Sequence, residues 1–293
     1  MKPPSFTYHR PADVAEALAA LAEAGPHGKV LAGGQSLVPV LNMRLAAPEH
    51  LIDINRLAEL AYVRSDAQAV RVGALARHAA TERDADAYAV LPLLRRATAH
   101  VAHPTIRNRG TTVGSLVHAD PAAEMPAILL LCDGEVELAS VGGTRSVAAA
   151  DFFHGPLECA LQPGELAVSA TFRVPPERTG TAFTEVSRRA GDYALCGVAV
   201  AVTLDADLRI SRARAAYVSV GPIPVLVDLT DAVGGQTADA ADWAAAGALA
   251  ESRVDPDDDI HATASYRRHL ARVLTARAGA DAARDASTRA EGE

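Results

Sequence analysis

The sequence is poor in cysteine. Only three cysteines occur among 293 residues, Cys132, Cys159 and Cys196, and no two of them form a Cys-x-x-Cys pair. This number excludes a disulfide framework, and the chain alone cannot supply a four-cysteine iron–sulfur cluster or a thiolate zinc site. Sparse thiols are typical of a reducing compartment, so we expect a cytoplasmic protein.

Positive charge and long apolar runs are also scarce. Lys and Arg number 28 against 36 for Asp and Glu, a formal net charge of −8. Because binding to a phosphate backbone needs a basic field, we expect no nucleic-acid partner. The aliphatic runs fall far short of the roughly 20 residues that span a bilayer, and residues 1–10 lack the apolar core of a signal peptide. We therefore expect no membrane insertion.

What is present is the composition of a globular protein, with 49% hydrophobic and 22% charged residues. Strands and helices mix over roughly the first 175 residues, and a strand pair with two helices follows, which predicts an α+β class. Pro175-Pro176 marks the predicted domain boundary. The last predicted helices cover 239–252 and 263–277, and the small, polar tail 278–293 is expected to be disordered.

A glycine turn directly follows the strand predicted at 29–32. Its residues 32–36 are Ala-Gly-Gly-Gln-Ser. Glycines let the backbone approach a ligand and expose consecutive amides, which suits a phosphate. Neither the Gly-Lys-Ser/Thr of a Walker loop nor Gly-x-Gly-x-x-Gly is present. On spacing alone, an ordinary tight turn is the simpler interpretation.

A second turn of small residues, Arg-Gly-Thr-Thr-Val-Gly-Ser-Leu at 109–116, is trailed by Asp120 and Glu124. Asp120 before Pro121 predicts a helix start, and Pro126 is expected to limit that helix to about one turn. Carboxylates can accept hydrogen bonds from ribose hydroxyls, so the two turns together fit a diphosphate plus a ribose. The residues alone indicate a nucleotide-like cofactor and no reaction.

Two further groups of residues invite a role. Arg107 and Arg109 could pair with a diphosphate or could form a solvated basic loop, and the sequence leaves both open. His100, His103 and His118 match no zinc-binding spacing, so we assign them no metal.

Four segments, taken in order, carry a family resemblance. Residues 30–39, with Leu-Ile-Asp-Ile-Asn at 51–55, and residues 106–124 are similar to two FAD signatures. Ser-Arg-Arg-Ala-Gly-Asp-Tyr-Ala at 187–194 and Tyr-Arg-Arg-His-Leu at 266–270 are similar to two later segments. The chain thus resembles the FAD-binding medium subunit of the molybdenum hydroxylases, the carbon monoxide dehydrogenase and xanthine dehydrogenase family.

The resemblance implies a fold. An FAD-binding domain of the PCMH, or vanillyl-alcohol oxidase, type is implied over residues 1–176, with subdomains at about 1–57 and 58–176. A C-terminal domain of a three-stranded antiparallel sheet plus helices is implied over 177–277. FAD is implied to lie, non-covalently, between the two N-terminal subdomains.

The resemblance also implies the residues that hold FAD. The two turns enclose the pyrophosphate, Glu124 reaches the adenosine ribose, Val101 touches the cofactor and Tyr193 lies beside the isoalloxazine. The full implied set is Val30, Leu31, Ala32, Gly33, Gly34, Gln35, Ser36, Leu37, Val101, Thr111, Thr112, Gly114, Ser115, Glu124 and Tyr193. Val113 stands where the family commonly has glycine, so we expect a slightly altered loop there.

The implied function is that of an oxidoreductase subunit. Molybdopterin is expected in a large partner subunit and [2Fe–2S] clusters in a small one, in a dimer of heterotrimers. FAD would take electrons from the clusters and pass them to an external acceptor. We assign no catalytic acid, base, nucleophile or metal ligand to this chain. Two alternatives stay open: a stand-alone FAD-dependent NADPH reductase on the same fold, and a non-enzymatic FAD-binding module.

Overall fold

The computed structural model describes residues 2–291, and these form three larger β-sheets, a two-stranded ribbon and the helices between them. The class is α+β, as the sequence predicts. Among the described residues, no helix combines the length and the apolar character that crossing a membrane requires.

The N-terminal unit is a small parallel sheet with two helices. Its elements are β1 (Thr7–His9), α1 (Val14–Ala24), β2 (Gly28–Leu31), α2 (Leu37–Asn42) and β3 (His50–Asp53). Both β1 and β2 pair with β3, which lies in the middle. The Asp13 carboxylate accepts a hydrogen bond from the Glu16 amide, and the Glu16 carboxylate accepts one from the Ala12 amide. This reciprocal cap fixes the start of α1, and Gly25 ends it at a φ of +52°.

The middle unit is a five-stranded antiparallel sheet covered by short helices. Its elements are β4 (Val63–Ser65), β5 (Ala69–Gly73), α3 (His78–Arg83), α4 (Ala85–Val90), α5 (Pro92–Thr98), α6 (Pro104–Arg107), α7 (Thr112–His118), α8 (Glu124–Leu131), β6 (Glu135–Ser140), β7 (Gly143–Ala148), α9 (Ala149–Phe152), β8 (Phe153–Gly155), β9 (Glu158–Cys159) and β10 (Leu166–Arg173). The strand order is β4-β5-β10-β6-β7, and β8 pairs with β9. Both α7 and α8 pack on β10, which places the second glycine turn at the edge of this core.

The C-terminal unit is an antiparallel sheet with three helices. Its elements are β11 (Thr179–Ser187), β12 (Ala194–Leu204), β13 (Ile210–Val218), β14 (Val225–Asp228), α10 (Thr230–Val233), α11 (Trp243–Arg253) and α12 (Ala264–Glu291). The expected three-stranded sheet is wrong by one strand, because β14 pairs with β13 between Arg214 and Tyr217. This edge strand has only four residues, too few for its alternation of buried and exposed side chains to be recognised in the sequence.

The expected disorder of the tail 278–293 is wrong over 278–291, and the last two residues lie outside the described range. These residues continue α12, and Ala278, Ala282 and Ala286 are fully buried. Alanine has the highest helix propensity, and its small side chain lets the helix lie close to β11. A Cβ on Gly180 of β11 would stand 2.1 Å from the Ala282 carbonyl oxygen. The tail is therefore part of the C-terminal core.

The expectation that Pro126 limits its helix to one turn is also wrong. The helix begins at Glu124, not at Pro121, so Pro126 falls in the first turn of an eight-residue helix, where a proline removes no intrahelical hydrogen bond. Asp120 caps no helix; its carboxylate accepts a hydrogen bond from the Ala122 amide at 2.9 Å, which forms a local turn.

The C-terminal sheet is docked on α8 by directed contacts. Arg214 of β13 donates to the Leu131 carbonyl at 2.9 Å and to the Asp133 carboxylate, so a cation lies at the C-terminal end of α8. The Ser219 amide donates to the Pro121 carbonyl just before α8 begins. Both ends of this helix are thereby tied to the C-terminal sheet.

Candidate functional site

The residues implied to hold FAD fall at the ends of elements. Val30 and Leu31 end β2, 32–36 form the turn after it, and Leu37 begins α2. The second turn opens α7, and Glu124 opens α8. Val101 lies in the turn between α5 and α6, and Tyr193 directly precedes β12. The structure thus gathers most of them in the two turns and the start of α7, whereas Val101, Glu124 and Tyr193 lie on other elements.

The two glycine turns are in direct contact. A Cβ on Gly33 would stand 2.4 Å from the Arg109 carbonyl oxygen and 2.8 Å from the Gly110 Cα. Gly33 is therefore required by close packing of one backbone on the other. Gly34 adopts a φ of +74°, which favours glycine. The motifs that the sequence singled out separately thus form one structural feature, which we name the double turn (residues 32–36 and 109–115).

The first half of the double turn presents unused amides. The backbone amides of residues 33–36 donate to no other described residue, whereas the Val38 amide, two residues later, donates to the Gly34 carbonyl at 3.0 Å. Unpaired amides in sequence form a concavity that suits an anion. Ser36 makes no cap bond with its hydroxyl, so this side chain too is uncommitted.

A polar latch of Asn55 and Arg77 holds the two halves together. Asn55 donates from Nδ2 to the Ala32 carbonyl at 2.8 Å. Arg77 donates from Nη2 to Asn55 Oδ1 and from Nη1 to the Arg109 carbonyl, each at 2.7 Å. Hydrogen bonds from a charged donor are among the stronger ones in proteins. The latch therefore fixes the spacing between the turns, and sequence reasoning missed its Arg77, which carries no local motif.

The second half of the double turn is capped and buttressed. Thr111 Oγ1 accepts a hydrogen bond from the Gly114 amide at 3.1 Å, and a Cβ on Gly114 would stand 2.5 Å from that oxygen. Beneath it, the His78 amide donates to the Gly110 carbonyl at 2.9 Å, and the His78 ring lies against Gly110. Burial and, to a lesser extent, the charge of nearby Arg107 lower the pKa of His78 to about 4. A neutral imidazole thus supports the turn.

Val113, which stands where the family commonly has glycine, fits its position in the fold. Val113 lies inside α7 with a helical backbone, and its side chain is 2% exposed in the apolar core. A β-branched residue is tolerated in a helix, and this position needs no glycine-like freedom. The reason given for expecting an altered loop, a need for backbone freedom at residue 113, therefore does not apply.

The two arginines of this loop have different roles. Arg107 is committed to the protein: it pairs with Glu82 at 2.9 Å and donates to the carbonyls of Val101 and Ala102. Arg109 contributes its carbonyl to the latch. Of the two, Arg107 is not available to a diphosphate.

The surroundings of Glu124 are acidic. Glu124 is 8% exposed, and its pKa is raised to about 8, first by burial and then by the charge of Glu185, with a smaller effect of Asp120. The pKa of Tyr193 is raised by partial burial and by the charges of Asp120 and Glu124. Glu185 is a residue that sequence reasoning missed, because nothing in its strand pattern marks it as buried.

Comparisons with known proteins cover nearly the whole chain. The sequence model described as FAD binding domain in molybdopterin dehydrogenase matches residues 4–176, and that described as CO dehydrogenase flavoprotein C-terminal domain matches 181–282. The 6-hydroxypseudooxynicotine dehydrogenase complex subunit alpha of Paenarthrobacter nicotinovorans is 41% identical, with 94% of each chain covered. The carbon monoxide dehydrogenase medium chain of Afipia carboxidovorans is 36% identical, covering 95% of this chain and 96% of its own.

Solved structures agree in fold. Quinoline 2-oxidoreductase from Pseudomonas putida 86 superposes with a TM-score of 0.91 at 35% identity, covering 98% of this chain and 99% of its own. Carbon monoxide dehydrogenase from Oligotropha carboxidovorans gives a TM-score of 0.91 at 34% identity, with 97% and 100% covered. The chain therefore belongs to the FAD-binding medium subunits of the molybdenum hydroxylase family, an oxidoreductase family, and FAD is its cofactor.

Proposed function

We propose that this chain is the electron-transferring flavoprotein of a three-subunit oxidoreductase. It takes electrons from [2Fe–2S] clusters in a small partner subunit and passes them to an external acceptor. A large molybdopterin subunit carries out the reaction on the substrate, and the assembly is a dimer of heterotrimers. The observation that carries the proposal is the double turn, which offers an anion-binding backbone on a chain that belongs to an FAD-binding family.

The residues present fit FAD. The four unused amides of residues 33–36 match the acceptor oxygens of a pyrophosphate, and added Cβ atoms at Gly33 and Gly114 would collide with the other residues of the double turn. We propose that the implied set from Val30 to Leu37 and from Thr111 to Ser115 encloses that group. Glu124 then accepts from the adenosine ribose, and Val101 and Tyr193 lie along the remainder of the cofactor.

Bound FAD supplies the redox chemistry, since it can accept and release electrons singly or in pairs. The protein's own residues bind and orient it. The latch of Asn55 and Arg77 fixes the width of the double turn, and His78 supports its second half without adding a charge. Tyr193 is 67% exposed, so its ring is accessible to the isoalloxazine beside which we propose that it lies.

The cysteines support this division of labour. Cys132 and Cys196 are buried and Cys159 is partly buried, and none of the three lies in a disulfide. Burial raises the pKa of Cys132 and of Cys196 to about 12, which disfavours the thiolate that binds iron. The iron–sulfur clusters of the proposed assembly must therefore be held by another chain.

The experiment is native purification with a visible spectrum and a denaturing gel. Flavin bands, iron–sulfur absorption and two co-purifying chains are the expected result. Flavin bands on a single chain that oxidises NADPH would replace the proposal with a stand-alone reductase. Flavin bands on a single chain without any electron transfer would leave a binding module. A chain that stays colourless after FAD is added would overturn the assignment of the double turn.

A further inference from the structure

Two arginines meet at the double turn without a carboxylate to neutralise them. Arg77 Nη1 donates to the Arg109 carbonyl at 2.7 Å, and Arg77 Nη2 donates to Asn55 Oδ1 at 2.7 Å. Both acceptors are neutral, so these hydrogen bonds leave the positive charge of Arg77 uncompensated. Arg109 is exposed, and its guanidinium makes no hydrogen bond or ion pair with any described residue.

The surroundings of Arg77 make its charge costly. Arg77 is partly buried, and burial and, to a smaller extent, the like charge of Arg109 lower its pKa. The carboxylate of Asp53 attracts Arg77 but forms no ion pair with it in the described part of the chain. Asp53 instead accepts hydrogen bonds from the Tyr8 hydroxyl and, at 2.9 and 2.6 Å, from the amide and Nδ2 of Asn55. A bound anion would supply the missing countercharge.

The charge of Arg77 lies beside the unused amides of the first turn. The Arg109 carbonyl oxygen that accepts from Arg77 is also the atom that would stand 2.4 Å from a Cβ on Gly33. Because these contacts are consecutive, Arg77 Nη1 lies within about 7 Å of the Gly33 Cα, less than the Debye length of roughly 8 Å at physiological ionic strength. Unused hydrogen-bond donors and an uncompensated cation therefore lie together.

The neighbouring arginine of the same loop is already neutralised. Arg107 pairs with Glu82 at 2.9 Å, so its charge needs no ligand. Arg77 and Arg109 are left without such a pair, and the latch occupies only two of the five N–H donors of Arg77. Each phosphate of a dinucleotide carries one negative charge, and guanidinium groups are the side chains best suited to bind phosphate oxygens.

We propose that Arg77 and Arg109 are the cations of the cofactor site, and that their charges hold the diphosphate of FAD at the amides of residues 33–36. This inference rests on the proposed function, in which the double turn encloses that diphosphate. Arg77 then has two roles: its hydrogen bonds fix the spacing between the turns, and its charge attracts the ligand. Arg109 contributes its carbonyl to the latch and its charge to the ligand.

The test measures the FAD affinity of the full-length, cofactor-free chain by flavin fluorescence quenching, from about 0.05 M to about 0.5 M KCl. Arg109→Met is the decisive variant, because the latch uses the Arg109 carbonyl, which this substitution keeps. We expect it to bind FAD about 3- to 10-fold more weakly at low salt and to show a shallower salt dependence than the wild type. Arg253→Met, which removes an exposed cation from α11 instead, should match the wild type.

Three substitutions in the latch separate charge from spacing. Arg77→Met removes both, so FAD should bind about 10- to 100-fold more weakly and with a shallower salt dependence. Arg77→Lys keeps the charge without the two-pronged bridge, so its affinity should lie between those of the wild type and Arg77→Met, with the salt dependence of the wild type. Asn55→Ala loosens the spacing alone, so it should weaken binding and leave the salt dependence unchanged.

The outcomes separate the inference from the proposed function. Wild-type affinity and salt dependence in Arg109→Met would overturn the pair of cations while FAD binding stands. Equal weakening by Arg77→Lys and Arg77→Met, with unchanged salt dependence, would do the same and leave Arg77 a role in spacing only. No binding of FAD by the wild type would overturn the proposed function instead. If the Arg77 variants do not fold, Arg109→Met decides, since its side chain is exposed and makes no contact in the latch.

Discussion

Two backbone contacts in this molecule depend on glycine in the same way, but one lies beside unpaired backbone amides and the other is buried. In the double turn, Gly33 lets one backbone touch another, with 2.4 Å between its would-be Cβ and the Arg109 carbonyl oxygen. On the C-terminal sheet, Gly180 lets α12 lie against β11, where the corresponding distances to the Ala282 oxygen and the Ala286 nitrogen are 2.1 Å. Beside the first contact, the backbone amides of residues 33–36 donate to no described residue, whereas the second contact is buried.

The difference lies in what surrounds each glycine. Around Gly180 stand fully buried alanines such as Ala282 and Ala286, which fill the contact with apolar surface. Around Gly33 stand polar groups, Asn55 and Arg77, which hold the two turns together at a fixed spacing. Close approach of backbones thus serves stability where the neighbours are alanines, and in our proposal it serves ligand binding where the neighbours are hydrogen-bond donors.

The largest effect is expected at the contact between Gly180 and α12. Gly180→Val places a branched side chain against two backbone atoms that cannot move separately, so α12 must lift from β11. We expect a loss of about 3–5 kcal/mol in the free energy of unfolding, measured by urea denaturation. Limited proteolysis should then release fragments from 264–291. Gly142→Val, in an open hairpin turn, is the matched control. A wild-type urea midpoint for Gly180→Val would refute the contact.

Breaking the contact between Gly33 and the second turn should affect FAD affinity instead of the fold. Gly33→Val forces the two turns apart, at an overpacking cost of about 1–3 kcal/mol, and changes the spacing that we propose binds FAD. We therefore expect FAD affinity to fall by up to about a hundredfold while circular dichroism stays unchanged. Quenching of flavin fluorescence measures the affinity, and Gly142→Val again serves as the control. Normal flavin content in folded Gly33→Val would contradict the assignment of this turn.

The second half of the double turn should be sensitive to acid. His78 has a pKa of about 4 in the folded chain against 6.5 in the unfolded chain, so the unfolded chain binds more protons between these values. The stability that neutral His78 permits is present above pH 6.5 and is lost as the pH falls towards 4. The full loss is about 3 kcal/mol, of which about 2 kcal/mol falls between pH 7 and pH 5.

His78→Gln isolates this contribution. Burial raises the pKa of Glu124, which makes stability fall as pH rises from about 4.5 to 8, so the raw pH profile mixes two opposite trends. The difference between wild type and His78→Gln in urea titrations at pH 7 and pH 5 removes the Glu124 part. The same substitution at exposed His154 should leave the profile unchanged. An unchanged difference between the two pH values would refute a buried neutral His78.

Features that depend on neighbours in sequence were predictable. The helix of Val14, Leu18 and Leu21 and its stop at Gly25 are visible from periodicity and capping, because both act within one or two turns. The glycines at 33 and 114 could be assigned to turns for the same reason. The contact of Gly33 with Arg109 and Gly110 could not, since it joins positions nearly eighty residues apart in the sequence.

Features fixed by tertiary contact were missed. The segment 278–291 has the small, polar composition of a disordered tail, and it becomes ordered because Gly180, about a hundred residues earlier, provides a groove for its alanines. Arg77 belongs to no motif, and its role follows only from the meeting of β3, α3 and the second turn. Glu185 lies between Thr184 and Val186 on β11, a pattern that does not mark it as buried, and packing of β11 against α5 and His100 buries its side chain.

The smallest expected effect concerns the ion pair beside the contact between Gly180 and α12. Asp285 on α12 accepts hydrogen bonds from Arg96 of α5 at 3.0 Å and from the Thr181 amide at 2.9 Å. Asp285→Asn should lower the free energy of unfolding by about 1–2 kcal/mol, and the loss should shrink when Arg96→Met is already present. Asp281, one turn earlier, pairs with Arg284 on the surface, so Asp281→Asn should cost less than about 0.5 kcal/mol.

Equal losses from Asp281→Asn and Asp285→Asn in urea denaturation would mean that the ion pair across the domains adds nothing beyond a surface charge. A larger loss at Asp285 that depends on Arg96 would show that the FAD-binding domain takes part in holding α12. The ion pair can stabilise α12 only when Gly180 lets that helix lie against β11. Asp285→Asn in the Gly180→Val background should therefore cost almost nothing, because the carboxylate no longer reaches Arg96 once the helix has lifted.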